Sequence, residues 1–567
     1  MSASNSAMPA RASAKLGARL RKLRSSRSLR GGRSRLKPAA PTGAPSSSAA
    51  ADSVSSALAS AAAKRRCQRR GTLSADGGEV AFGGDGGDDT DDDMARQGRG
   101  DAAPPCHDAQ AQGATRGACP SSAAWVEEFV GRLDVPSREA LLKSMRRVKT
   151  FSTSYSGVGF FESMVRQLFT GLGAPLPTCT YAGDILATCQ DVLTKHDERC
   201  PCSPSCVFGN LLDRVPGDVL EKITQIQRRH LKETIAVAEK LPKRKRNAYL
   251  SEQCEALLDL LDAVLASTEL SPVAHCYKHN RNCEVVEAGS TEEDDIGLHG
   301  AGTTCVEFSC RSSKRKMGAG VHTLSFAVWA RCRQLVREGL ILHECVPLHP
   351  SKRLLERYLQ CSHVVFSFTV CPTLFGMPCT RRRRYAVAIR LDNFKAQIFR
   401  EPAMLFACRA KARRMRSDIY FIATLQELTD ILKKESTARR SFRAGQVATS
   451  FTELLSSGNR RRLNEYRQTT MAGLESYFEL NQNSSYTGGR RSRVGCLLRT
   501  NMWWSHLHNR PLVGLERFYL MGNGPDVCAT PHIFSSLSES CLAALSGNGM
   551  HVPSAGASLL SGLVAIC

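Results

Sequence analysis

The residues of this sequence best equipped for chemistry are a cysteine, a glutamate and a run of arginines, each at the edge of a strand-like segment. Cys305 lies in Ala301-Gly302-Thr303-Thr304-Cys305-Val306-Glu307-Phe308-Ser309. A thiolate is the strongest side-chain nucleophile, and a small-residue turn can leave it within reach of a ligand. Glu344 closes the apolar run Leu340-Ile341-Leu342-His343, where a carboxyl group can serve as a positioned general acid. Arg381 and Arg383 belong to Cys379-Thr380-Arg381-Arg382-Arg383-Arg384, which leads into the strand-like Tyr385-Ala386-Val387-Ala388-Ile389. These strand ends can converge on one rim of a parallel sheet, where open α/β folds bind their ligands. The chain has 23 cysteines, so Cys305 stands out by the company it keeps and not as a thiol.

A second group of residues suits a nucleotide-type cofactor. A strand-like run from Val148 passes through Tyr155-Ser156-Gly157-Val158-Gly159 into a helical pattern at Met164, Val165, Leu168 and Phe169. Glycines there let backbone N–H groups and a helix N-terminus approach a ligand closely. Asp184 follows at an offset suited to ribose hydroxyls, and Val207-Phe208-Gly209-Asn210-Leu211 offers a third strand end with a polar side chain.

The elements that must position these groups read as a mostly parallel α/β core flanked by helices. At 567 residues the chain can build more than one domain. Lys and Arg number 77 against 53 acids, a net charge of +24 that points to polyanions, nucleic acid first. Residues 1–120 are rich in Ser, Ala, Gly and Arg and are expected to be disordered. Their basic clusters, including Lys64 to Arg70, suit a nuclear address, and the acid-free start equally suits an organelle transit peptide; Asp85 to Asp93 reverses the charge. The core is assigned to 121–390, with a polar helical insertion at 214–290 that offers a protein-partner surface. Residues 391–509 form an irregular second module whose basic clusters and Trp503-Trp504 suit a nucleic-acid surface, and 510–567 returns to the core. No run of about 18 apolar residues exists, so a spanning helix and a membrane role are not expected. Cys200, Cys202 and Cys206, with Cys276-x-x-His279-x-x-x-Cys283, invite zinc. Neither cluster has the paired C-x-x-C spacing, so free thiols in a reducing compartment are preferred and no metal ligand is assigned.

In this order the segments resemble the C5-cytosine DNA methyltransferase family, over roughly 148–390 and again 510–567. Ser156-Gly157-Val158-Gly159-Phe160 looks like its first cofactor turn, Asp184 like its ribose-binding acid, and Gly209-Asn210-Leu211 stands where the family has a Gly-Asp pair. The Cys305 stretch is similar to Pro-Cys-x-x-Phe-Ser, Glu344-Cys345-Val346 to Glu-Asn-Val, and Cys379 to Arg383 to Gln-x-Arg-x-Arg. Arg510-Pro511-Leu512 through Glu516 and Gly547-Asn548 with Val552-Pro553 resemble the closing motifs. Thr304, Cys345, Cys379 and Thr153 depart from the family pattern.

The resemblance implies a Rossmann-like methyltransferase core with a smaller target-recognition module, and S-adenosylmethionine as cofactor. It would be held by Tyr155, Ser156, Gly157, Val158, Gly159, Asp184, Asn210, Leu211, Asn548 and Val552. It further implies that Cys305 adds to a flipped cytosine, that Glu344 acts on ring N3, that Arg381 and Arg383 hold the base, and that the basic loop 311–320 clamps the substrate. Double-stranded DNA in a nucleus is the implied partner. RNA, chiefly transfer RNA, is the alternative substrate, and a degenerate nucleic-acid-binding relative is the third possibility.

Overall fold

The computed structural model describes residues 124–289, 295–309, 316–395, 399–406, 417–439, 442, 445–469, 476–482, 490–491, 493–524, 534 and 536–566. The expected disordered tail and residues 311–315 of the 311–320 loop lie outside them. The chain divides into two units, Met1–Cys106 and His107–Cys567, and all of the described residues belong to the second.

Its strands are β1 (Val148–Ser154), β2 (Thr178–Gly183), β3 (Cys206–Phe208), β4 (Val273–Cys276), β5 (Arg281–Glu284), β6 (Ile296–Gly302), β7 (Leu340–Cys345), β8 (His363–Val370) and β9 (Arg383–Arg390). They form one sheet in the order β5-β4-β3-β2-β1-β6-β7-β9-β8. The five strands from β3 to β7 in that order run parallel, while β9 is antiparallel to both neighbours and β4 and β5 add an antiparallel edge. From β1 the chain moves outward through β2 and β3, and from β6 outward in the other direction. The strand order therefore reverses between β1 and β6, and the crevice at their carboxyl ends is the position where such sheets bind ligands. This is the doubly wound α/β core expected from the sequence.

Alternation along the strands divides the interior into two cores. Leu340, Leu342, Tyr385, Val387 and Ile389 face one of them, with the helices Ala124–Val130, Val135–Arg147, Phe160–Gly171 and Val552–Val564. Ile341, Ala386 and Ala388 face the other, with Gly217–Ala238, Lys243–Leu265, Thr323–Val336 and Ser351–Leu359. The small-residue helix Val552–Val564 is buried on every side. Its glycines admit neighbours that a methyl group would displace, such as the Trp125 ring over Gly556.

Two expectations are revised. The 214–290 stretch is helical only as far as Leu265 and then forms the hairpin β4–β5, extending the sheet. Its apolar stripe, including Ile223, Leu257, Leu258 and Leu261, is spent against Trp329 and its neighbours inside the second core. Glu287 at its end is gripped by Arg333 at 2.8 Å and Arg214 at 2.6 Å. The 391–509 stretch is more regular than expected. It carries β10 (Tyr477–Glu479), β11 (Arg490–Arg491) and β12 (Trp503–Ser505), which with β13 (Arg510–Pro511) form an antiparallel sheet in the order β11-β10-β12-β13. The tryptophans are not surface groups: Trp503 and Trp504 are 1% and 0% exposed. Successive strand residues point to opposite faces, so Trp503 enters the first large core and Trp504 the module's own cluster of Leu463, Tyr466 and Phe478. No helix among the described residues is long and apolar enough to cross a membrane.

Candidate active site at the carboxyl edge of the sheet

Register brings the chemistry together. Gly302 at the end of β6 lies opposite Glu344 on β7, and Glu344 lies opposite Tyr385 on β9, two residues past Arg383. Beyond Gly302, Thr303 is fixed by a 2.7 Å hydrogen bond between its hydroxyl and His343 Nε2. Cys305, half-buried, then packs against Phe308, Cys345 and Val346. The Arg383 Nε atom stands 3.1 Å from Glu344 Oε1. The pair is close enough for charge pairing but out of line for a hydrogen bond, and no donor among the described residues is aligned with that oxygen.

The shared field tunes both reactive groups. Burial pushes the Glu344 carboxyl above its usual range, and Arg383 and Arg381 pull it back only in part. Burial also pushes the Cys305 thiol up, with Arg383 and Arg381 opposing and the Glu344 charge adding to the rise. Burial thus shifts both groups towards their neutral forms, and at each of them Arg383 is the largest opposing influence.

Arg381 does not play the part expected of it. It is buried, and its guanidinium donates to the backbone oxygens of Leu497 at 2.8 Å, Gly547 at 3.3 Å and Gly549. These carbonyls belong to the stretch before β12 and to the end of the helix Glu539–Asn548 with its cap, Gly549. Arg381 is therefore a positioning residue that ties both to the root of β9. Of the two arginines, Arg383 is the one beside Glu344.

The turn after β1 has the backbone that a nucleotide-type site needs. Tyr155, Gly157 and Gly159 have positive φ of 55°, 59° and 92°. At Gly159 a methyl group would come within 2.5 Å of His196 Cε1, so only glycine fits. Asp184, just past β2, accepts from Gly157 N–H and Leu186 N–H, both at 2.9 Å, one bond on each oxygen. A carboxylate offers about four acceptor sites, so it can still receive a ligand hydroxyl. Ser156 binds Gly183 through backbone and side chain.

Asn210 caps the short turn Leu211–Arg214 by accepting from Leu212 N–H at 3.1 Å, and Leu211 leans on the second core. Asn548 is exposed. Val158 and Val552 are corrections: at 1% and 0% exposure both side chains are core residues that show no surface to a ligand. The Val552 N–H is also taken by the Met521 carbonyl at 2.9 Å.

Several residues escaped the sequence reading. Glu162, from the first turn of the following helix, reaches back to accept a 2.6 Å bond from Thr153, supplying a carboxyl where Thr153 has none. Burial raises that carboxyl to about 7. Ile185 and Leu186 are 66% and 44% exposed beside Asp184, an apolar pair at a strand end able to pack on a flat ring. Most telling is Gly302. A methyl group there would lie 3.6 Å from Met550 Cε, 3.7 Å from Glu344 Oε2 and 3.8 Å from the Tyr155 carbonyl oxygen. The glycine-rich turn and the Glu344 group therefore meet beside Gly302, at the reversal of strand order.

These features define a doubly wound α/β protein with a cofactor-type turn and a cysteine, a carboxyl and a guanidinium at the switch point. Comparison with protein-family models and with curated proteins returns no match. Among solved structures, the Dnmt2 methyltransferase of S. pombe aligns with a TM-score of 0.36 at 14% identity, over 73% of this chain and 98% of that one. A mutant form of DNMT2 from Spodoptera frugiperda gives 0.34 at 13%, over 73% and 99%. The Entamoeba histolytica methyltransferase EhMeth gives 0.33 at 10%, over 73% and 98%. At these values it is the strand order that defines the fold.

Proposed function

We propose that this chain is an S-adenosylmethionine-dependent cytosine-C5 methyltransferase acting on nucleic acid, with duplex DNA as its first substrate class. The observation that carries this is the juxtaposition at Gly302, where the Tyr155 turn meets Glu344, with Cys305 and Arg383 in the same field. The residues present fit the cofactor. A methyl group at Gly157 would meet nothing within 4 Å, so the turn opens onto free space, next to an Asp184 with acceptor capacity to spare and the exposed Ile185. Asp184 would hold the ribose, Ile185 and Leu186 the adenine face, and the backbone at Gly157 the amino-acid end. S-adenosylmethionine, when bound, supplies an electrophilic methyl group on a sulfonium.

The chain's own residues account for the activation of the base. Carbon 5 of cytosine is a weak nucleophile until a group adds at carbon 6, and the Cys305 thiolate makes that bond. The electron pair displaced into the ring is stabilised by a proton from Glu344 to N3, the use to which a raised carboxyl without an aligned donor is suited. Arg383 holds the Glu344 carboxyl in place and favours the Cys305 thiolate. Reaching carbon 6 requires extruding the base, at about a few kcal/mol, and the basic second module would compensate through phosphate contacts.

The test is transfer of a tritiated methyl group to duplex DNA and, side by side, to transfer RNA. Label in DNA that disappears with Cys305→Ala is expected. Label confined to RNA would change the substrate class, and no label in either, or undiminished transfer by Cys305→Ala, would overturn the proposal.

A further inference from the structure

We propose that Cys206, Cys276, His279 and Cys283 bind one structural zinc ion that ties the hairpin β4–β5 to the sheet. The four residues come from separate places: Cys206 opens β3, Cys276 closes β4, His279 sits in the connecting turn and Cys283 lies within β5. The whole helical hairpin Gly217–Leu265 separates the first ligand from the others, yet their ligand atoms all lie within 4.8 Å of one another. Cys200 and Cys202, which the sequence grouped with Cys206, are not part of the cluster.

The distances are those of a tetrahedral centre. The thiol sulfurs of Cys206, Cys276 and Cys283 stand 3.6, 3.4 and 3.4 Å from His279 Nδ1. Zinc with bonds of about 2.3 Å to sulfur and about 2.0 Å to nitrogen, at tetrahedral angles, requires a sulfur-to-nitrogen separation of roughly 3.5 Å. Hydrogen bonding does not explain the arrangement. A ring nitrogen has one N–H or one lone pair in the ring plane, so it serves one thiol, and here three converge on it. The three cysteines are free thiols and not disulfide partners. Val207 N–H points at Cys276 Sγ from 3.4 Å, the backbone donation that steadies a metal-bound thiolate.

The hairpin also needs such a tie. Of its eight strand residues only Cys276 is fully buried, and it pairs with β3 through the single register Phe208 with Cys276. A two-stranded hairpin with so little buried surface is at best marginally stable in water. On binding, the three thiols release their protons to solvent and the neutral imidazole gives its lone pair, leaving a site of net charge −1. The same tie holds Tyr277 against Gly209, where a methyl group would lie 2.8 Å from the ring, just past the carboxyl end of β3.

The full-length protein, purified without added chelator, should carry one equivalent of zinc by elemental analysis, released by a mercurial thiol reagent. Cys283→Ser and His279→Ala should lose it, while Cys200→Ser should keep it. Because those variants could misfold, the wild-type protein reconstituted with cobalt(II) gives an independent reading: tetrahedral ligand-field bands with thiolate-to-cobalt charge transfer. Wild-type protein lacking stoichiometric zinc and showing only octahedral cobalt bands would overturn the proposal, as would full zinc retention in the Cys283→Ser, His279→Ala double variant.

Discussion

Arg383 stands 3.1 Å from Glu344 Oε1 but out of line with it, so a buried carboxyl is paired in charge and yet lacks an aligned donor. Leaving a buried polar atom unmatched costs about 1–3 kcal/mol, a cost found where a ligand supplies the missing partner. Glu344→Gln keeps the shape and removes the transferable proton. Single-turnover methyl transfer should fall by about 10²- to 10⁴-fold, with the thermal midpoint unchanged or raised. Wild-type rates in this variant would remove Glu344 from the chemistry.

The Cys305 thiol should titrate above its usual value, because burial outweighs the arginines. Its thiolate fraction, and with it the rate of alkylation by iodoacetamide, therefore rises as pH climbs through that raised value. Glu344 adds to the rise, so Glu344→Gln should move the midpoint of the pH–rate profile down. Arg383 opposes it, so Arg383→Met should move the midpoint up. Identical midpoints in all three proteins would show that the groups do not share a field.

Arg381 and Arg383 should separate by readout. Arg381→Met strips the donor from buried carbonyls of Leu497, Gly547 and Gly549, and should lower unfolding stability in urea by about 2–4 kcal/mol. Arg383→Met should cost less stability and more turnover. The reverse pattern would return Arg381 to the reacting groups.

How much of this was legible in the sequence depends on where each signal lies. Cys305, Glu344 and the Gly157–Gly159 turn each sit where an apolar run gives way to a turn, and such junctions mark the carboxyl rim of a parallel sheet, while Arg383 reaches that rim as the first residue of the antiparallel β9. The role of Arg381 was not legible, because its partners are backbone carbonyls and any residue supplies those. Trp503 and Trp504 were misjudged because adjacent large residues read as surface unless two cores flank the strand. Glu162 lies a helical turn beyond the strand it serves. Cys206 could be joined to Cys276, His279 and Cys283 only once the intervening helices had folded back.

Glu287 provides a test of the core that does not involve catalysis. Burial pushes its carboxyl up, but Arg333 and Arg214 outweigh burial and hold it below the ordinary 4.5. Its ionised form is thus preferred in the folded state. The stabilisation is complete above the unfolded value and is lost as pH falls through the lower folded one. Glu287→Ala leaves Arg333 buried without that partner and should cost about 3–5 kcal/mol at neutral pH, with the deficit shrinking in acid. Unfolding monitored against pH checks both the size and the slope, and a pH-independent deficit would contradict the ion pair.

The most direct measurement is covalent capture of duplex DNA carrying 5-fluorocytosine in the presence of S-adenosylmethionine, since fluorine at carbon 5 cannot leave as a proton does and the cysteine adduct persists. Wild-type protein should form a denaturant-resistant complex whose cross-linked peptide contains Cys305, and Cys305→Ala should form none. Failure of the wild-type protein to be captured on either 5-fluorocytosine DNA or the equivalent RNA, or capture through a different cysteine, would contradict a nucleophilic role for Cys305.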